Sequence, residues 1–506
     1  MQFKTVSGNR YYYSEKQGEF ILCHPVLFYL IHQKISGNEV EDWAASVPPK
    51  GVYLDGKLYS KKDVNYYYKK FQLLLLGGYF EKQDNNHLIE WRIRPEDAEA
   101  SIASTDQLLF ETTDRCNMKC VYCGYGQLYE NYDPRDGKDM DFTLAKKPID
   151  FLFNYWKADH ARHYNKVLHI GFYGGEPLLN FGLIQDIVNY LEELPSIEHI
   201  RFTYGMTTNG LLLDKFIDFI VEKDMDLLVS LDGDRVANDF RILANGEPSF
   251  DYIMKNLELI RNRFPDFFEK NVSFNAVVHS KNSITGLYSF FKSHFNKIPR
   301  IAALNPDGLK ESKRKLFEKL FYDINKSLES FEMDGTKQWD HPLYPSIPRV
   351  KELMRALLKF NGHSYHNYND LIFPGNTRKK IPTSTCLPFS RKIYLTVNGK
   401  LLPCERIGHQ YNVGMADNKQ VSLDFEEIAK KYNRIFDNVS RQCSGCAHIR
   451  NCEECIFSWG SKSFDNGRCP VFKESSRLAG YLSDQISFLE ERTALLSKML
   501  KEIDIS

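Results

Sequence analysis

Apolar and polar positions along the chain follow two rhythms, and the change between them falls near residue 105. Ahead of that point, "RYYYS" (10–14) and "EFILC" (19–23) alternate with period two, as half-buried strands do. "HPVLFYLIHQKI" (24–35) and "SKKDVNYYYKKFQLLLLGGYF" (60–80) instead space their apolar residues as helices. Ser60 is placed to cap the second helix and Gly77-Gly78 to stop it. "YFEKQ" and "HLIEWRI", joined by "DNN", read as a hairpin. Strands, helices and a closing hairpin predict a winged-helix-like module over residues 1–100, suited to binding peptide or nucleic acid.

Beyond residue 105, strand and helix alternate. "QLLFETT", "KVLHIGFYG", "IRFTYGMTTNG", "DLLVSLDG", "VSFNAVVHS" and "RIAALNP" are apolar runs of strand length, separated by amphipathic stretches such as "FGLIQDIVNYLEEL" and "FDYIMKNLELIRNRF". Such alternation predicts an α/β domain over residues 105–309, a parallel sheet with crossover helices whose ligands sit beyond the carboxyl ends of the strands. Residues 310–385 read as a helical bridge. Residues 386–470 are rich in cysteine and short on regular periodicity, as a segment organised by metal would be. In the tail, 471–506, Leu478, Leu482, Leu489, Leu496 and Leu500 share one face of a predicted helix that docks on its own protein.

Composition narrows the function classes. The 506 residues carry 66 Lys+Arg against 66 Asp+Glu, so no bulk charge draws the chain to nucleic acid or to an anionic membrane, and the N-terminal module is expected to bind peptide. "MQFKTVSGNR" lacks the apolar core of a signal peptide, and the run at "LLLLGGYF" is far short of a membrane span, which predicts a cytoplasmic protein. In that reducing compartment the 11 cysteines point to metal rather than to disulfides. Cys23 stands alone in an apolar stretch and reads as a core residue. The other ten fall into two groups.

The first group is Cys116-x3-Cys120-x-Tyr122-Cys123, three thiols with no fourth nearby. Iron–sulfur cubanes take cysteine thiolates, and three ligands leave one iron open to a small molecule. Strand ends farther on carry "YGGEP" (Tyr173, Gly174, Gly175, Glu176, Pro177), "TTNG" with Asn209, and "SLDG" with Ser230 and Asp232. The set, in this order, resembles the radical S-adenosylmethionine (SAM) superfamily. The resemblance implies a partial (β/α)6 barrel and a [4Fe–4S] cluster on Cys116, Cys120 and Cys123. It also implies SAM contacts from Tyr122, the "YGGEP" residues, Asn209, Ser230 and Asp232, and reductive cleavage of SAM to a 5′-deoxyadenosyl radical.

The second group reads Cys386-x12-Gly399-x4-Cys404, Cys443-x2-Cys446-x5-Cys452-x2-Cys455, then Cys469. It resembles the SPASM domain of peptide-modifying members of that superfamily, with a two-residue gap before Cys455 where three is usual. Two Cys-x2-Cys pairs would also suit a zinc ribbon. The resemblance implies two auxiliary clusters, an outer one on Cys443, Cys446, Cys452 and Cys469 and an inner one on Cys386, Cys404 and Cys455. The inner set is one ligand short, since relatives with a full set have a cysteine where this chain has Lys380. Either a non-cysteine group completes it or it stays open to substrate.

The implied reaction is modification of a ribosomally made precursor peptide, a thioether, carbon–carbon or carbon–oxygen cross-link, with the leader gripped by residues 1–100 and electrons from a flavodoxin or ferredoxin. Formylglycine formation, as in anaerobic sulfatase-maturating enzymes, is the alternative, and a non-catalytic zinc- or cluster-bearing scaffold is the alternative of another class. Glu405, directly after Cys404, occupies the position of an aspartate base in the sulfatase maturases and is a candidate base.

Overall fold

The computed structural model describes residues 1–81, 92–158, 166–194, 200–306, 308–324, 326–327, 348–360, 383, 385–447, 449, 452, 454–458, 469 and 471–502. The N-terminal module opens with an antiparallel sheet of β1 (Gln2–Lys4), β2 (Arg10–Ser14) and β3 (Glu19–Cys23). The helix Pro25–Ile35 follows, with the His24 ring accepting from Val26 N. A short helix, Glu41–Ser46, leads to the hairpin of β4 (Val52–Leu54) and β5 (Lys57–Tyr59). The helix Lys61–Leu76 then runs between the predicted Ser60 cap, which forms a reciprocal capping box with Asp63, and Gly77. Cys23 is buried in the core of this module beside Leu27, Leu30 and Phe71. The sequence places a hairpin after the second long helix, but Tyr79 and Phe80 form a turn, and most of that prediction lies outside the described residues.

Six parallel strands form the barrel in chain order: β6 (Gln107–Thr113), β7 (Lys166–Gly174), β8 (Ile200–Thr208), β9 (Asp226–Ser230), β10 (Val272–Val278) and β11 (Arg300–Ala303). Each matches an apolar run in the sequence, and a helix follows each on the outside. Alternation assigns the faces. In β10, Val272, Phe274, Ala276 and Val278 are buried, and Phe274 stacks 4.9 Å and 4.7 Å from Phe291 and Phe295 of the helix Ile284–Phe295. The residues between them, such as Ser273 and Asn275, face the barrel interior. The same parity points Glu111 of β6 and Tyr173 of β7 inward.

The sheet does not end at the barrel. β12 (Lys392–Leu395) pairs in parallel with β6, and β13 (Lys400–Leu402), β14 (Gly414–Ala416) and β15 (Val421–Ser422) extend it in antiparallel fashion, giving ten strands. A 20-residue helix, Phe425–Ser444, buries Ile428, Tyr432, Phe436 and Val439 in the same core as the barrel. The cysteine-rich segment is thus more regular than its sequence predicts. Strands of two to four residues are too short to show a period, so their hydrophobicity went unread.

The tail docks on its own protein but is broken into two helices, Leu478–Glu490 and Thr493–Glu502. Leu478, Leu482 and Ile486 pack with Phe3 and Tyr13 of the N-terminal sheet and with Ala356 and Phe360 of the helix Pro348–Phe360. After the break the face rotates, so Leu495 and Met499 are buried in place of the Leu496 that a continuous helix would present. The helix Pro95–Ser101 belongs to the barrel core through Ala98, with Ile93 and Ile102 on either side.

Candidate functional site

Cys116, Cys120 and Cys123 lie on the loop that leaves β6. Its first residues are tied to the end of β7, with Gly175 N donating to Thr113 O at 2.8 Å and Glu176 N to Arg115 O at 2.8 Å. A Cβ on Gly175 would stand 1.9 Å from Arg115 O, and Gly174, at φ +129°, would place one 2.4 Å from Thr113 O. Both glycines are therefore required by the loop's own backbone, before any ligand is considered. The Glu176 carboxylate is fully buried and accepts from Leu178 N (3.2 Å), Thr208 Oγ1 (2.8 Å) and Asn209 N (2.8 Å), stitching the ends of β7 and β8 together. Burial raises its pKa to about 7 even though these donors favour the charged form. The Asn209 side chain donates to Asn117 Oδ1 at 2.7 Å and lies 3.9 Å from Cys116 Sγ.

A buried ionic network holds the middle of the loop. Tyr122 donates its hydroxyl to Asp232, which also pairs with Arg241 Nε at 3.0 Å, accepts from Val277 N at 2.9 Å and stands 3.6 Å from His279 Nε2. All four side chains are nearly or wholly shielded from solvent. Burial works to raise the Asp232 pKa, but the Arg241 guanidinium and the hydrogen bonds from His279, Tyr122 and Val277 N together outweigh it, and the carboxylate stays below its ordinary range. Ser230 is half-buried at the end of β9, in register with Asn275. Burial pushes the Cys120 thiol up to about 12, with Arg241 opposing and Cys123 and Cys116 adding to it.

The remaining cysteines gather in two places. Cys443, Cys446, Cys452 and Cys469 line one cavity of about 530 Å³ together with Lys473 and Tyr481. Ile456 N donates to Thr385 Oγ1 at 2.9 Å, which sets Cys455 and Cys386 on adjacent strands of chain. Cys404 packs in an apolar cluster with Phe457. The Phe457 ring lies 5.4 Å from that of Tyr432, whose hydroxyl burial pushes far up, with Cys455, Cys386 and Cys404 each adding to the shift. Among the described residues, no three His, Cys, Asp or Glu side chains converge on a position for a single metal ion. Three thiols on one loop, and four around a roomy cavity, have the donor chemistry of iron–sulfur cubanes. Lys380 lies outside the described residues.

On the inner face of the barrel an aromatic cluster gathers around Arg135. The Arg135 guanidinium lies 3.8 Å over the Tyr125 ring and pairs with the buried Glu111 at 2.6 Å. Tyr125 and Tyr394 hydroxyls are 3.2 Å apart, and the Tyr132 and His409 rings meet edge to face at 5.3 Å. Tyr173 packs 6.2 Å from Tyr125. Burial raises the Tyr132 hydroxyl's pKa, and the thiols of both Cys123 and Cys404 add to it. Glu405 is committed to Lys392 at 2.7 Å. Burial would raise its pKa, but the ammonium more than offsets that, which makes the carboxylate a weaker proton acceptor.

Sequence reasoning missed Glu111, Arg135, Arg241, His279, His409 and Tyr432. Glu111 is a charge inside an apolar strand and His279 directly follows β10, so both carried a legible signal. Arg241 and Tyr432 carried none, since nothing in their local sequence marks a buried polar role.

Residues 110–284 match the family model described as the Radical SAM superfamily. The chain is 23% identical over 423 residues to a cysteine-type anaerobic sulfatase-maturating enzyme of Clostridium novyi, covering 79% of this chain and 98% of that one. It is 21% identical over 384 residues to the radical SAM cyclopropyl synthase TigE of Paramaledivibacter caminithermalis, covering 71% of each. Among solved structures, native anSMEcpe with bound AdoMet and Cp18Cys peptide is similar at 17% identity and a TM-score of 0.48, over 78% of this chain and 99% of that one.

Proposed function

Residues 110–284 are a radical SAM domain, and from that premise we propose that this enzyme modifies a ribosomally made precursor peptide, installing a thioether, carbon–carbon or carbon–oxygen cross-link. When bound, the [4Fe–4S] cluster and SAM that the family implies supply reductive cleavage of the sulfonium and a hydrogen-abstracting radical. In this reading Cys116, Cys120 and Cys123 hold that cluster. Asn209, Ser230 and the peptide groups of Tyr173 to Pro177 hold SAM. Glu176 serves through its backbone, because its carboxylate is taken up by Thr208 and Asn209. Asp232 and Tyr122 serve by fixing the cysteine loop. Two auxiliary clusters occupy the C-terminal cysteine groups, and a flavodoxin or ferredoxin supplies electrons. The core peptide approaches the barrel mouth beside Cys123 and the tyrosines near it.

The observation that carries the precursor-peptide reading is the asymmetry of the N-terminal sheet. Its β1 edge is covered by the helix Leu478–Glu490, where Ser483 Oγ donates to Lys4 O at 2.5 Å and Val6 N donates to Ser487 Oγ at 3.0 Å. Its β3 edge has no strand neighbour among the described residues and exposes Leu22. An open edge adds an extended peptide as a further strand, which suits a leader. Relatives act in the same chemical class: TigE is named a radical SAM cyclopropyl synthase.

A second reading, formylglycine formation, is favoured by the alignment over 98% of the sulfatase-maturating relative. The test separates them. Anaerobically reconstituted protein with SAM and dithionite is given, in parallel, precursor peptides encoded beside its own gene and a cysteine-bearing sulfatase peptide. Loss of hydrogen mass from a precursor alone is the expected result. Conversion of the sulfatase peptide alone to an aldehyde would overturn the proposal in favour of the second reading.

A further inference from the structure

Half of the large apolar side chains that stand exposed among the described residues fall within residues 1–81, Leu22, Tyr53, Tyr66 and Leu73 among them. Apolar surface gathered in one region and rimmed by charge marks an interaction surface. Here the charge is cationic. From Lys57 to Leu76 the chain carries Lys57, Lys61, Lys62, Lys69 and Lys70 against one carboxylate, Asp63, which the capping box with Ser60 already engages. The whole chain has 66 basic and 66 acidic side chains, so this excess is local.

The helix Lys61–Leu76 runs antiparallel beside the open edge strand β3, held there at both ends. Where β3 ends, the His24 ring stacks on Tyr67 at 4.0 Å. Where β3 begins, the Tyr79 hydroxyl donates to Glu19 Oε2 at 2.9 Å and Gln17 Nε2 donates to Gly77 O at 3.0 Å. Tyr67, Lys70 and Leu74 follow one another at helical spacing, so they share the face that Tyr67 turns toward the strand. Tyr66 meets Tyr67 edge to face at 5.0 Å and is 64% exposed, a second ring at the rim. Lys70 is exposed, and no carboxylate pairs with it among the described residues. Along β3, Ile21 packs toward the helices, while Leu22, 59% exposed, lies on the other face with Phe20. A strand added to β3 therefore has two unlike faces, one toward Lys70 and the tyrosines, the other beside Leu22.

We propose that this groove selects an acidic leader, an extended segment in which carboxylate side chains alternate with aliphatic ones. The carboxylates meet Lys70 and the phenol hydroxyls, and the aliphatic residues between them cover Leu22. The inference rests on the reading that β3 takes the leader as a further strand, and it adds what that leader must carry. Peptide is favoured over nucleic acid because a strand edge offers unpaired N–H and C=O groups in a row, which another strand matches and a phosphate backbone does not.

The test titrates four labelled probes by fluorescence anisotropy into the full chain and into Lys70→Glu. Three are short peptides in which valine and leucine alternate with glutamate, glutamine or lysine, and the fourth is a DNA duplex. The glutamate peptide is expected to bind the native chain tightest and to weaken about fivefold in the variant, and also with added salt. The lysine peptide is expected to gain in the variant, which also shows that the variant is folded. Equal affinity for the three peptides, a ranking that Lys70→Glu leaves unchanged, or binding of the duplex in place of every peptide would overturn the inference. If charge makes no difference but Leu22→Asp still weakens the glutamine peptide, the edge takes a strand without charge selection and only this inference falls. If no peptide binds and the encoded precursors are also left unmodified, the precursor reading falls with it.

Discussion

The cysteine loop at the barrel mouth and the inner cysteine group are built on opposite plans. At the barrel mouth the polar side chains of the loop's support are partnered by protein. Tyr122, Asp232, Arg241 and His279 form a closed buried set, and Glu176 ties two strand ends together. At the inner group the hydroxyl of Tyr432 is buried with no partner among the described residues. The first site is preorganised, since its loop is pinned whether or not metal is present. The difference teaches where buried polar groups stabilise and where they do not: a satisfied charge network holds the first loop in shape, while an unsatisfied hydroxyl adds nothing to the second.

The harshest test of the contrast is to remove the first set of thiols. Changing Cys116, Cys120 and Cys123 together to alanine is expected to abolish formation of 5′-deoxyadenosine, while iron carried by the C-terminal cysteines remains; product release by the triple variant would break the assignment. Next comes Asp232→Asn, which leaves Arg241 buried without its counter-charge. Denaturant unfolding of the metal-free chain should show a loss of roughly 3–5 kcal/mol. A loss near zero would mean that the network does not pin the loop.

Glu176 gives a pH-dependent version. Its folded pKa is raised from 4.5 to about 7, so the protonated form is favoured by folding. The resulting stability is full below the unfolded value and is lost as pH rises through the folded one, a change of about 3 kcal/mol. Glu176→Gln should remove that dependence, so the wild type should weaken relative to the variant as pH rises from 4.5 to about 7. Parallel stability curves would show that the carboxyl titrates normally. At the open edge of the N-terminal sheet, Leu22→Asp should weaken binding of a labelled leader peptide about tenfold by fluorescence anisotropy, near 1.4 kcal/mol. The smallest effect belongs to the inner group: without metal, Tyr432→Phe should change unfolding stability by less than about 1 kcal/mol, or stabilise slightly. A large loss would reveal a protein partner for the hydroxyl and erase the contrast.

Much of the barrel was legible because each element advertised itself locally. The period-two runs of β6 to β11 needed only a window of seven or eight residues, and Ser60 and Gly77 marked the ends of their helix through backbone groups a turn away. The cysteine spacing on the first loop is local in the same sense, as are the glycines of "YGGEP". Their reason, however, was tertiary: only the structure shows that the backbone of residues 113–115 occupies the space a side chain at 174 or 175 would need. The same holds for Glu176 and Asp232. Their identities and strand-end positions could be read, but not that each carboxylate is already engaged by protein. Glu405 drew attention by its place after Cys404, yet Lys392, at the start of β12, decides its basicity.

The sequence by itself determined the rhythm of strands and helices, the spacing of thiols along each segment and the order of the strand-end motifs, because all of these are set by neighbours along the chain. Tertiary structure alone decided which charge faces which, that the helix Leu478–Glu490 covers the β1 edge of the first sheet while the β3 edge has no strand neighbour among the described residues, and that the Tyr432 hydroxyl is buried without a partner among them. Those facts depend on contacts between residues tens to hundreds of positions apart, and the energy of such contacts arises only when folding removes water from both partners at once.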